Sequence, residues 1–300
     1  MALSVVVPTL NGREALAGCL DALAEHAPGV ETVVVNGPSS DGTTGMVRDR
    51  GDVDVLVEVA DRDVAAARNA GIERASGDEI AIVSHSLSVE ADWLDGVRGG
   101  LAGSAVVTGP THETLAAGMT SESVESERFA GREVTYFNPG NVAFERAVLD
   151  ELDGYDEYLQ VGSSRDLAHR LASAGVDVAW RPEMSVRREF EADGGMRDTD
   201  WGWKYRSMAY RLVKNYGLRP AVFRRLASNA GRDATGGLRE VLGDETPASE
   251  WLGTGRAVVG GTAVGIKDGL LARARDRTPR RNPSGRSVRT DRAVAVYDWR

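Results

Sequence analysis

The sequence predicts an α/β protein whose mostly parallel sheet is flanked by helices, with a helical extension towards the C-terminus. Short β-branched or apolar runs alternate with amphipathic segments of about ten to fifteen residues in the first half of the chain. This alternation is typical of βαβ units, whose strands lie parallel in one sheet. The single cysteine, Cys19, excludes a disulfide framework and a cysteine-based zinc site.

Four strands are predicted in the first part of the chain, and helices separate them. The predicted strands are residues 4–7, 32–35, 53–57 and 79–83, and the predicted helices are residues 15–25, a segment starting near Asp41, and residues 64–75. Ligands bind at the carboxyl ends of the strands in such sheets. We therefore expect a site that combines residues 9–11, Asn36 and residues 84–86.

The second half of the chain gives weaker secondary-structure signals. Residues 112–135 are polar and predict a loop or insertion, followed by helices at 142–152 and 167–174 and a strand at 176–180. Asp200 is placed to cap a helix over residues 200–216, and Gly217 is placed to end it. The predicted division is a catalytic-type α/β domain at 1–190, a helical, basic and aromatic extension at 200–275, and an Arg-rich flexible tail at 276–300.

Charge is unevenly distributed. Residues 256–300 carry eleven Lys and Arg against four Asp and Glu, a net charge of +7, whereas residues 1–255 carry 25 against 41, a net charge of −16. The acidic body excludes the contiguous basic face that nucleic-acid binding requires. Only three of the 36 basic residues are lysines, which is typical of proteins from salt-loving archaea, although a GC-rich genome also favours arginine.

No segment reaches the roughly 18 uninterrupted apolar residues expected of a membrane-spanning helix. The N-terminal residues also lack the basic region and long apolar stretch of a signal peptide. We therefore expect a cytoplasmic protein.

Four segments, in order, resemble a family 2 glycosyltransferase with the GT-A fold, which is Rossmann-like. They are SVVVPTLNGREALAGCLDAL, VVVNGPSSDGT at 33–43, VAAARNAGIERASGDEIAIVSHS at 64–86 and FNPGNVAFERAVLDELDGYDEYLQVGSSRDLAHRLASAGVDVAWRP at 137–182. The resemblance covers residues 4–190 and suggests the haloarchaeal members that build surface or N-linked glycans. It implies transfer of a sugar from a nucleotide-sugar, UDP- or GDP-linked, with inversion at the anomeric carbon.

The resemblance also implies a nucleotide site. Its residues would be Pro8, Thr9, Asn11, Asn36, Asp41, Arg68, Ser84, His85 and Ser86. The family usually has Asp where Asn36 stands, but an amide can both accept from and donate to a base. A turn-forming Asn is the alternative interpretation. Contacts to the donor or acceptor sugar are implied for Asn138, Asn141, Ser163 and Ser164, and an ordinary turn explains Asn138 and Asn141 equally well.

Three acidic or metal-binding motifs of the family are missing. Ser84-His85-Ser86 stands where the family has Asp-x-Asp, which holds Mg²⁺ or Mn²⁺ on the diphosphate. Arg187 and Arg188 occupy the stretch in which a histidine often closes the metal site. Serines 163 and 164 replace the paired acids that include the catalytic base, so that only Asp166 of that motif remains.

Two accounts of these losses stay open. In the first, Arg187 and Arg188 replace the metal, because guanidinium groups bind diphosphate and stabilise a leaving group, and Asp166 or else His85 accepts the acceptor's proton. In the second, the chain is a catalytically silent member that binds a sugar or a partner. The arginines could instead pair with Glu183, Glu189 and Glu191 on a solvated strand, and Asp166 could cap the following helix. A nucleotidyltransferase is a weaker alternative, since no Gly-rich triphosphate loop is present.

The composition of the predicted helical extension indicates what kind of acceptor the protein uses. Residues 201–225 contain seven basic and six aromatic residues and no acidic one. Trp201, Tyr205, Met208, Leu212 and Tyr216 fall on one helix face, which either packs on the domain or lies at a membrane surface. A glycan acceptor linked to polyprenyl phosphate, and peripheral contact with the inner face of the cell membrane, are the corresponding expectations.

Overall fold

The computed structural model describes residues 2–113, 124–188, 200–242 and 248–300. Its strands are β1 (Leu3–Thr9), β2 (Glu31–Asn36), β3 (Val55–Val59), β4 (Glu79–Val83), β5 (Leu87–Val89), β6 (Val106–Thr108), β7 (Thr111–Glu113), β8 (Ser126–Phe129), β9 (Arg132–Thr135), β10 (Asn141–Glu145), β11 (Val178–Trp180), β12 (Val186–Arg188) and β13 (Ala293–Asp298).

The helices lie between these strands and in the extension. They are α1 (Arg13–His26), α2 (Thr43–Arg48), α3 (Val64–Arg74), α4 (Trp93–Leu101), α5 (Arg146–Glu151), α6 (Ser163–Ala174), α7 (Trp201–Tyr216), α8 (Pro220–Leu242) and α9 (Ala248–Arg275), with one short 3₁₀ helix at Arg286–Val288. In the described parts of the chain, no helix has the length and apolar character needed to cross a membrane.

An eight-stranded sheet forms the centre, in the order β11-β6-β10-β4-β1-β2-β3-β13. The pairs β1–β2, β1–β4, β2–β3 and β6–β11 are parallel, whereas β10 and β13 run antiparallel to their neighbours. Thr9 at the end of β1 lies opposite Asn36 at the end of β2. The predicted α/β class with a mostly parallel sheet is confirmed.

The sheet is buried on both faces, as its nearly continuous apolar strands predict. Val5, Val6 and Val7 of β1 are all 0% exposed. Helix α3 packs unusually close to the sheet at Gly71, where an added Cβ would lie 2.3 Å from Cγ1 of Val6. This close approach explains why the Ala- and Gly-rich segment at 64–75 forms a helix at this place.

The second half differs from the sequence prediction at residues 142–152. The run Val142–Phe144 is a strand, within β10, and the helix α5 begins only at Arg146. A short, fully buried apolar run fits a central strand as well as a helix, and here it pairs with both β4 and β6. Within the predicted polar loop, residues 126–135 form the β8–β9 hairpin, while residues 114–123 lie outside the described residues.

The extension contains three helices, α7, α8 and α9, of which α7 and α9 are in close contact. Helix α9 crosses α7 through glycines spaced by four residues: a Cβ added at Gly261 would lie 2.1 Å from the backbone oxygen of Gly202. One added at Gly265 would lie 2.3 Å from the oxygen of Arg206. The Gly-rich run near residue 260 therefore lets the two backbones approach each other.

The tail, for which the sequence predicts flexibility, packs on the sheet. β13 pairs with β3 along the sheet edge. Arg292 is 1% exposed, and its guanidinium pairs with Glu73 and Glu157, each at 2.5 Å. The Arg-rich composition thus reflects ion pairs with an acidic body, a long-range feature that local composition does not reveal.

Candidate functional site

A cavity of about 430 Å³ opens at the carboxyl edge of the sheet, at the ends of β1, β2 and β4. This is where ligands bind in parallel α/β sheets. The structure brings six of the predicted nucleotide-site residues together in its wall: Pro8, Thr9, Asn11, Arg68, Ser84 and His85.

The loop after β1 is held in place by the loop after β2. Asn11 has a left-handed backbone, with φ of 50°. Its backbone N–H donates to Oγ of Ser39 and its Oδ1 accepts from the N–H of Ser40, both at 2.8 Å. These two hydrogen bonds fix Asn11 where it borders the cavity. Asn also tolerates the left-handed conformation better than most residues.

Asn36 does not face the cavity. It is 1% exposed, its Nδ2 donates to Oγ1 of Thr44 at 3.0 Å, and its Oδ1 accepts from Oγ of Ser39 at 2.7 Å. Both ends of the amide are therefore used inside the loop. The structure gives no support to base recognition by Asn36, because its side chain shapes the turn after β2.

Asp41 also organises this loop. Its carboxylate accepts from the backbone N–H groups of Arg13 and Thr43, at 2.9 and 3.1 Å. Partial burial alone would raise the pKa of Asp41, but the hydrogen bonds from Thr43 and Arg13 outweigh it and lower the pKa. Asp41 is absent from the cavity wall, so its contribution to the site is indirect.

Arg68 is the most deeply placed cation of the cavity. It is 8% exposed, its Nη2 donates to the oxygen of Pro139 at 2.9 Å, and its Nη1 donates to Oγ of Ser164 at 3.1 Å. Nε is buried and has no hydrogen-bond partner among the described residues. Arg68 therefore carries both a positive charge and an unused N–H donor.

The residues at the end of β4 do not fit a divalent cation. Oγ of Ser84 and Oγ of Ser86 lie 3.2 Å apart, and Nδ1 of His85 lies 3.2 Å from the oxygen of Pro8. A carbonyl only accepts, so Nδ1 carries the hydrogen and Nε2 is the basic nitrogen. Mg²⁺ and Mn²⁺ prefer carboxylate oxygens. Across the described ranges, no three His, Cys, Asp or Glu side chains come together as a metal site.

Arg187 and Arg188 do not form the predicted diphosphate clamp. Nη2 of Arg187 donates to Oε1 of Glu90 at 2.8 Å, on a half-exposed surface. Successive residues of a strand face opposite sides, so the two arginines of β12 cannot both face one diphosphate. Neither lies in the cavity wall. The structure gives no support to an arginine pair in place of the metal, and Arg187 pairs instead with Glu90, which directly follows β5.

Asp166 is not placed to accept a proton from a substrate. It is 0% exposed and accepts from Arg170, Lys214 and Asn215, each at 2.8 Å. Burial alone would raise the pKa of Asp166, but the charges of Lys214 and Arg170 outweigh it and lower the pKa to about 2. The structure therefore gives no support to its predicted catalytic role, and Gly162 rather than Asp166 occupies the N-cap of α6.

The four residues predicted to contact a sugar have different surroundings in the structure. Asn141 is 0% exposed, accepts from Nε1 of Trp93 at 2.9 Å and donates to the oxygen of Met184 at 2.7 Å, so both ends of its amide are used inside the protein. Asn138 shapes the turn before β10 through Thr111 and Gly140. Ser163 is 3% exposed, while Ser164 receives the hydrogen bond of Arg68.

The sequence analysis missed the loop between β3 and α3, which supplies Asp61, Arg62 and Asp63 to the cavity. Asp63 caps α3 by accepting from the N–H of Ala65 at 2.9 Å. Burial raises the pKa of Asp63 to about 6, and the charges of Glu157 and Asp61 add to the effect. The end of the third parallel strand was the signal that could have identified this loop.

The apolar face of α7 packs inside the protein. Tyr205, Leu212 and Tyr216 are at most 3% exposed. Helix α9 lies along α7, where glycines 261, 265 and 269 meet its backbone. Of the two interpretations of this face, the structure supports packing on the protein.

Sequence comparisons match the N-terminal part of the chain. Residues 4–98 match the model of Glycosyl transferase family 2. Glycosyltransferase AglE of Haloferax volcanii is 31% identical over 99 residues, which are 31% of this chain and 33% of that protein. Glycosyltransferase GlyA of Streptococcus pneumoniae is 28% identical over 97 residues, which are 31% of this chain and 14% of that protein. The chain thus matches a third or less of the length of these curated relatives.

Solved structures match more of the chain. S. aureus TarS 1–349 in complex with UDP-GlcNAc has a TM-score of 0.57 and 18% identity, over 72% of this chain and 68% of that chain. The mannosyltransferase PcManGT from Pyrobaculum calidifontis, in complex with GDP-Man and Mn²⁺, has a TM-score of 0.56 and 18% identity, over 92% and 88%. At this identity the similarity concerns the fold, and the predicted GT-A fold is confirmed.

Proposed function

We propose that this chain, whose residues 4–98 match the model of Glycosyl transferase family 2, transfers one sugar from a UDP- or GDP-linked donor to a glycan acceptor, with inversion. The observation that carries the proposal is the cavity at the carboxyl edge of the sheet, with Pro8, Thr9 and Asn11 on one side and Arg68 within it. Two structural neighbours were solved with UDP-GlcNAc and with GDP-Man.

In this proposal the loop after β1 contacts the nucleoside, and the guanidinium of Arg68 meets the diphosphate. A guanidinium can stabilise the charge that develops on a leaving diphosphate. The exposed Arg62, in the wall of the same cavity, adds a second positive charge. The residues at the end of β4 do not fit a metal, so no step is assigned to one.

We propose His85 as the group that accepts the proton of the acceptor hydroxyl. It lies in the cavity wall, and its contact with the oxygen of Pro8 places the hydrogen on Nδ1, with Nε2 as the basic nitrogen. Gly12 makes room for the ring, because a Cβ there would lie 2.6 Å from Nε2. Histidine is the side chain that most often performs this step in enzymes.

A second candidate function is a catalytically silent member that binds a sugar or a partner. The burial of Asp166 favours it, because the motif that supplies the base in the family retains no accessible carboxylate. The two candidates differ in turnover of a nucleotide-sugar.

We also propose that the acceptor is linked to a lipid phosphate and that the protein contacts the inner face of the cell membrane. Since α7 is covered, α9 is the helix proposed for this contact. Val259 and Leu271 are 70% and 48% exposed there, beside the exposed Arg256 and Lys267. Flotation of the protein with anionic vesicles tests this contact, and recovery wholly in the soluble fraction at low and high salt would contradict it.

The function is tested by calorimetric titration of the full chain with UDP and GDP, in EDTA and with Mn²⁺. Release of nucleoside diphosphate from a panel of UDP- and GDP-sugars is then measured with candidate glycan acceptors. We expect binding in EDTA and release with at least one donor. Binding without release from any donor would favour the silent member, and absence of nucleotide binding under all conditions would contradict the transferase and also favour the silent member.

A further inference from the structure

A second cavity, of about 360 Å³, lies between the β8–β9 hairpin, the start of α6, and helices α7 and α8. Four of the side chains that line it are permanent cations, and one is an anion. The cations are Arg165, Lys204, Arg211 and Arg225, and the anion is Glu127. The proposed donor site does not include this cavity.

Three of the four cations are paired. Arg165 contacts Glu125 and Lys204 contacts Asp233, each at 2.8 Å, and Arg225 contacts Glu127. Arg211 differs: no carboxylate among the described residues forms an ion pair with it, and its Nε is buried without a hydrogen-bond partner. A guanidinium remains protonated at neutral pH, and a buried charge without a partner is costly.

The guanidinium of Arg211 lies against the N-terminus of α6. The N-cap, Gly162, has φ of 81°, and a Cβ added there would lie 2.7 Å from Nη1 of Arg211. No side chain caps this helix. Since a helix N-terminus carries partial positive charge and unpaired N–H groups, two positive centres adjoin each other at the cavity wall. An anion between them would satisfy both.

Among the residues that line the cavity, Glu127 is the one carboxylate, and it is already bound by Arg225 and Tyr136. His169 is neutral, because burial above all, and then the charge of Arg211, lower its pKa to about 3. Its ring contacts the hydroxyls of Tyr216 and Tyr136. Val161, which is 52% exposed, Met208 and Leu212 add apolar surface beside the cations.

We propose that this second cavity binds a phosphate group, held by the guanidinium of Arg211 and the first turn of α6. Ser164 of that turn accepts a hydrogen bond from Arg68, which lines the first cavity, so α6 connects the two cavities. The assignment of the phosphate to the acceptor rests on the proposed function, whereas phosphate binding itself does not.

The test is calorimetric titration of the full chain with inorganic phosphate and with pyrophosphate, with the first cavity saturated by UDP or GDP. We expect the variant Arg211→Met to weaken binding by about 10- to 100-fold, the effect of losing a charge-assisted contact. Arg206→Met is the matched control, because Arg206 lies on the same helix but pairs with Asp268 outside this cavity. Its affinity for phosphate should equal that of the unchanged protein.

Arg211→Lys keeps the charge and guards against misfolding of the methionine variant. It should retain weakened binding, and phosphate should raise the melting temperature of the unchanged protein more than chloride at equal ionic strength. Absence of phosphate binding by the unchanged protein, or equal binding by Arg211→Met, would overturn the proposal. Nucleotide affinity is measured on the same variants, so failure of the second site is distinguishable from failure of the proposed function.

Titration with farnesyl phosphate and glucose 1-phosphate identifies the source of the phosphate. Tighter binding of farnesyl phosphate than of inorganic phosphate, lost in Arg211→Met, supports a lipid-linked ligand that uses the apolar wall. Tighter binding of glucose 1-phosphate supports a sugar phosphate. Equal affinities for all three support a site for the phosphate group alone, and failure of all three to bind overturns the site.

Discussion

Lys214 and Arg211 lie one turn apart on α7, and their surroundings differ sharply. Lys214 is 0% exposed, and its ammonium contacts Asp156 and Asp166, while Asp166 is also bound by Arg170. This buried network pairs each of its charges. Arg211, at the second cavity, has no carboxylate partner among the described residues. Paired charges of this kind hold the fold together, whereas an unpaired charge at a cavity indicates a ligand.

The first cavity resembles the surroundings of Arg211, because it too holds ionisable groups that are largely buried. Asp63 has a raised pKa and Arg68 has an unused Nε, although both are largely buried. Asp63 caps α3 and Arg68 donates to Pro139 and Ser164, but Nε of Arg68 lacks a partner from the described chain, and a bound molecule would supply it. Substitutions in the ion-pair network around Lys214 are therefore expected to lower stability. Substitutions of the cavity cations are expected to weaken ligand binding and to change stability little.

The largest expected effect is that of Lys214→Met on stability. This change leaves Asp156 and Asp166 buried with too little positive charge, and loss of one partner from such a network costs about 3–5 kcal/mol. Urea unfolding followed by circular dichroism measures the loss. Lys204→Met is the control on the same helix, because Lys204 is part-exposed and pairs only at the surface, where such a pair contributes up to about 1 kcal/mol. Equal losses of stability in the two variants would contradict the distinction between the buried ion-pair network of Lys214 and the surface ion pair of Lys204.

A smaller, pH-dependent effect is expected for Asp63→Asn. The folded-state pKa of about 6 exceeds the ordinary value of 3.8, so the folded protein binds more protons between these values. The contribution of Asp63 to stability is therefore present below pH 4 and lost as the pH rises through 6. Asparagine can still cap α3.

The free energy of unfolding of Asp63→Asn, minus that of the unchanged protein, should consequently increase by about 1–3 kcal/mol between pH 4 and pH 7. Unfolding in urea at several pH values measures it. A difference that stays constant over this range would mean that the carboxyl of Asp63 is not perturbed in the folded protein.

The smallest effect on stability is expected for Arg211→Met. Removing a charge that has no partner relieves a desolvation cost, so the free energy of unfolding should stay within about 1 kcal/mol or increase. The same urea experiment measures it, without phosphate in the buffer. A loss comparable to that of Lys214→Met would show that Arg211 holds the fold rather than a ligand.

The fold was largely predictable from the sequence because its signals are local. Apolar runs marked β1, β2, β3 and β4, and Asp200 and Gly217 marked the ends of α7, whose side-chain and backbone contacts confirm both positions. Val142–Phe144 was assigned to a helix because a short buried strand and a short buried helix share one pattern. β13 escaped prediction because its partner, β3, lies more than 200 residues away in the sequence.

The site was predictable only in part. Sequence position placed Pro8, Thr9, Asn11, Arg68, Ser84 and His85 in one cavity, since strand ends converge at one edge. It could not show that Asn36, Asn141 and Asp166 spend their polar groups on neighbouring loops and helices. Nor could it show that Arg187 pairs with Glu90, almost 100 residues away. Hydrogen-bond partners distant in the sequence decide whether a polar residue is available to a ligand.

The most direct test of the account is the affinity of UDP or GDP, in EDTA, for the unchanged protein, Arg68→Met and Arg187→Met. We predict that Arg68→Met weakens binding by about 10- to 100-fold, because a buried cation of the cavity is lost, while Arg187→Met stays within about twofold. Melting temperatures establish that both variants fold. The affinity of Arg68→Lys, which keeps the charge, should lie between that of Arg68→Met and that of Arg187→Met. Strong weakening in Arg187→Met with full affinity in Arg68→Met would contradict the site proposed for the diphosphate.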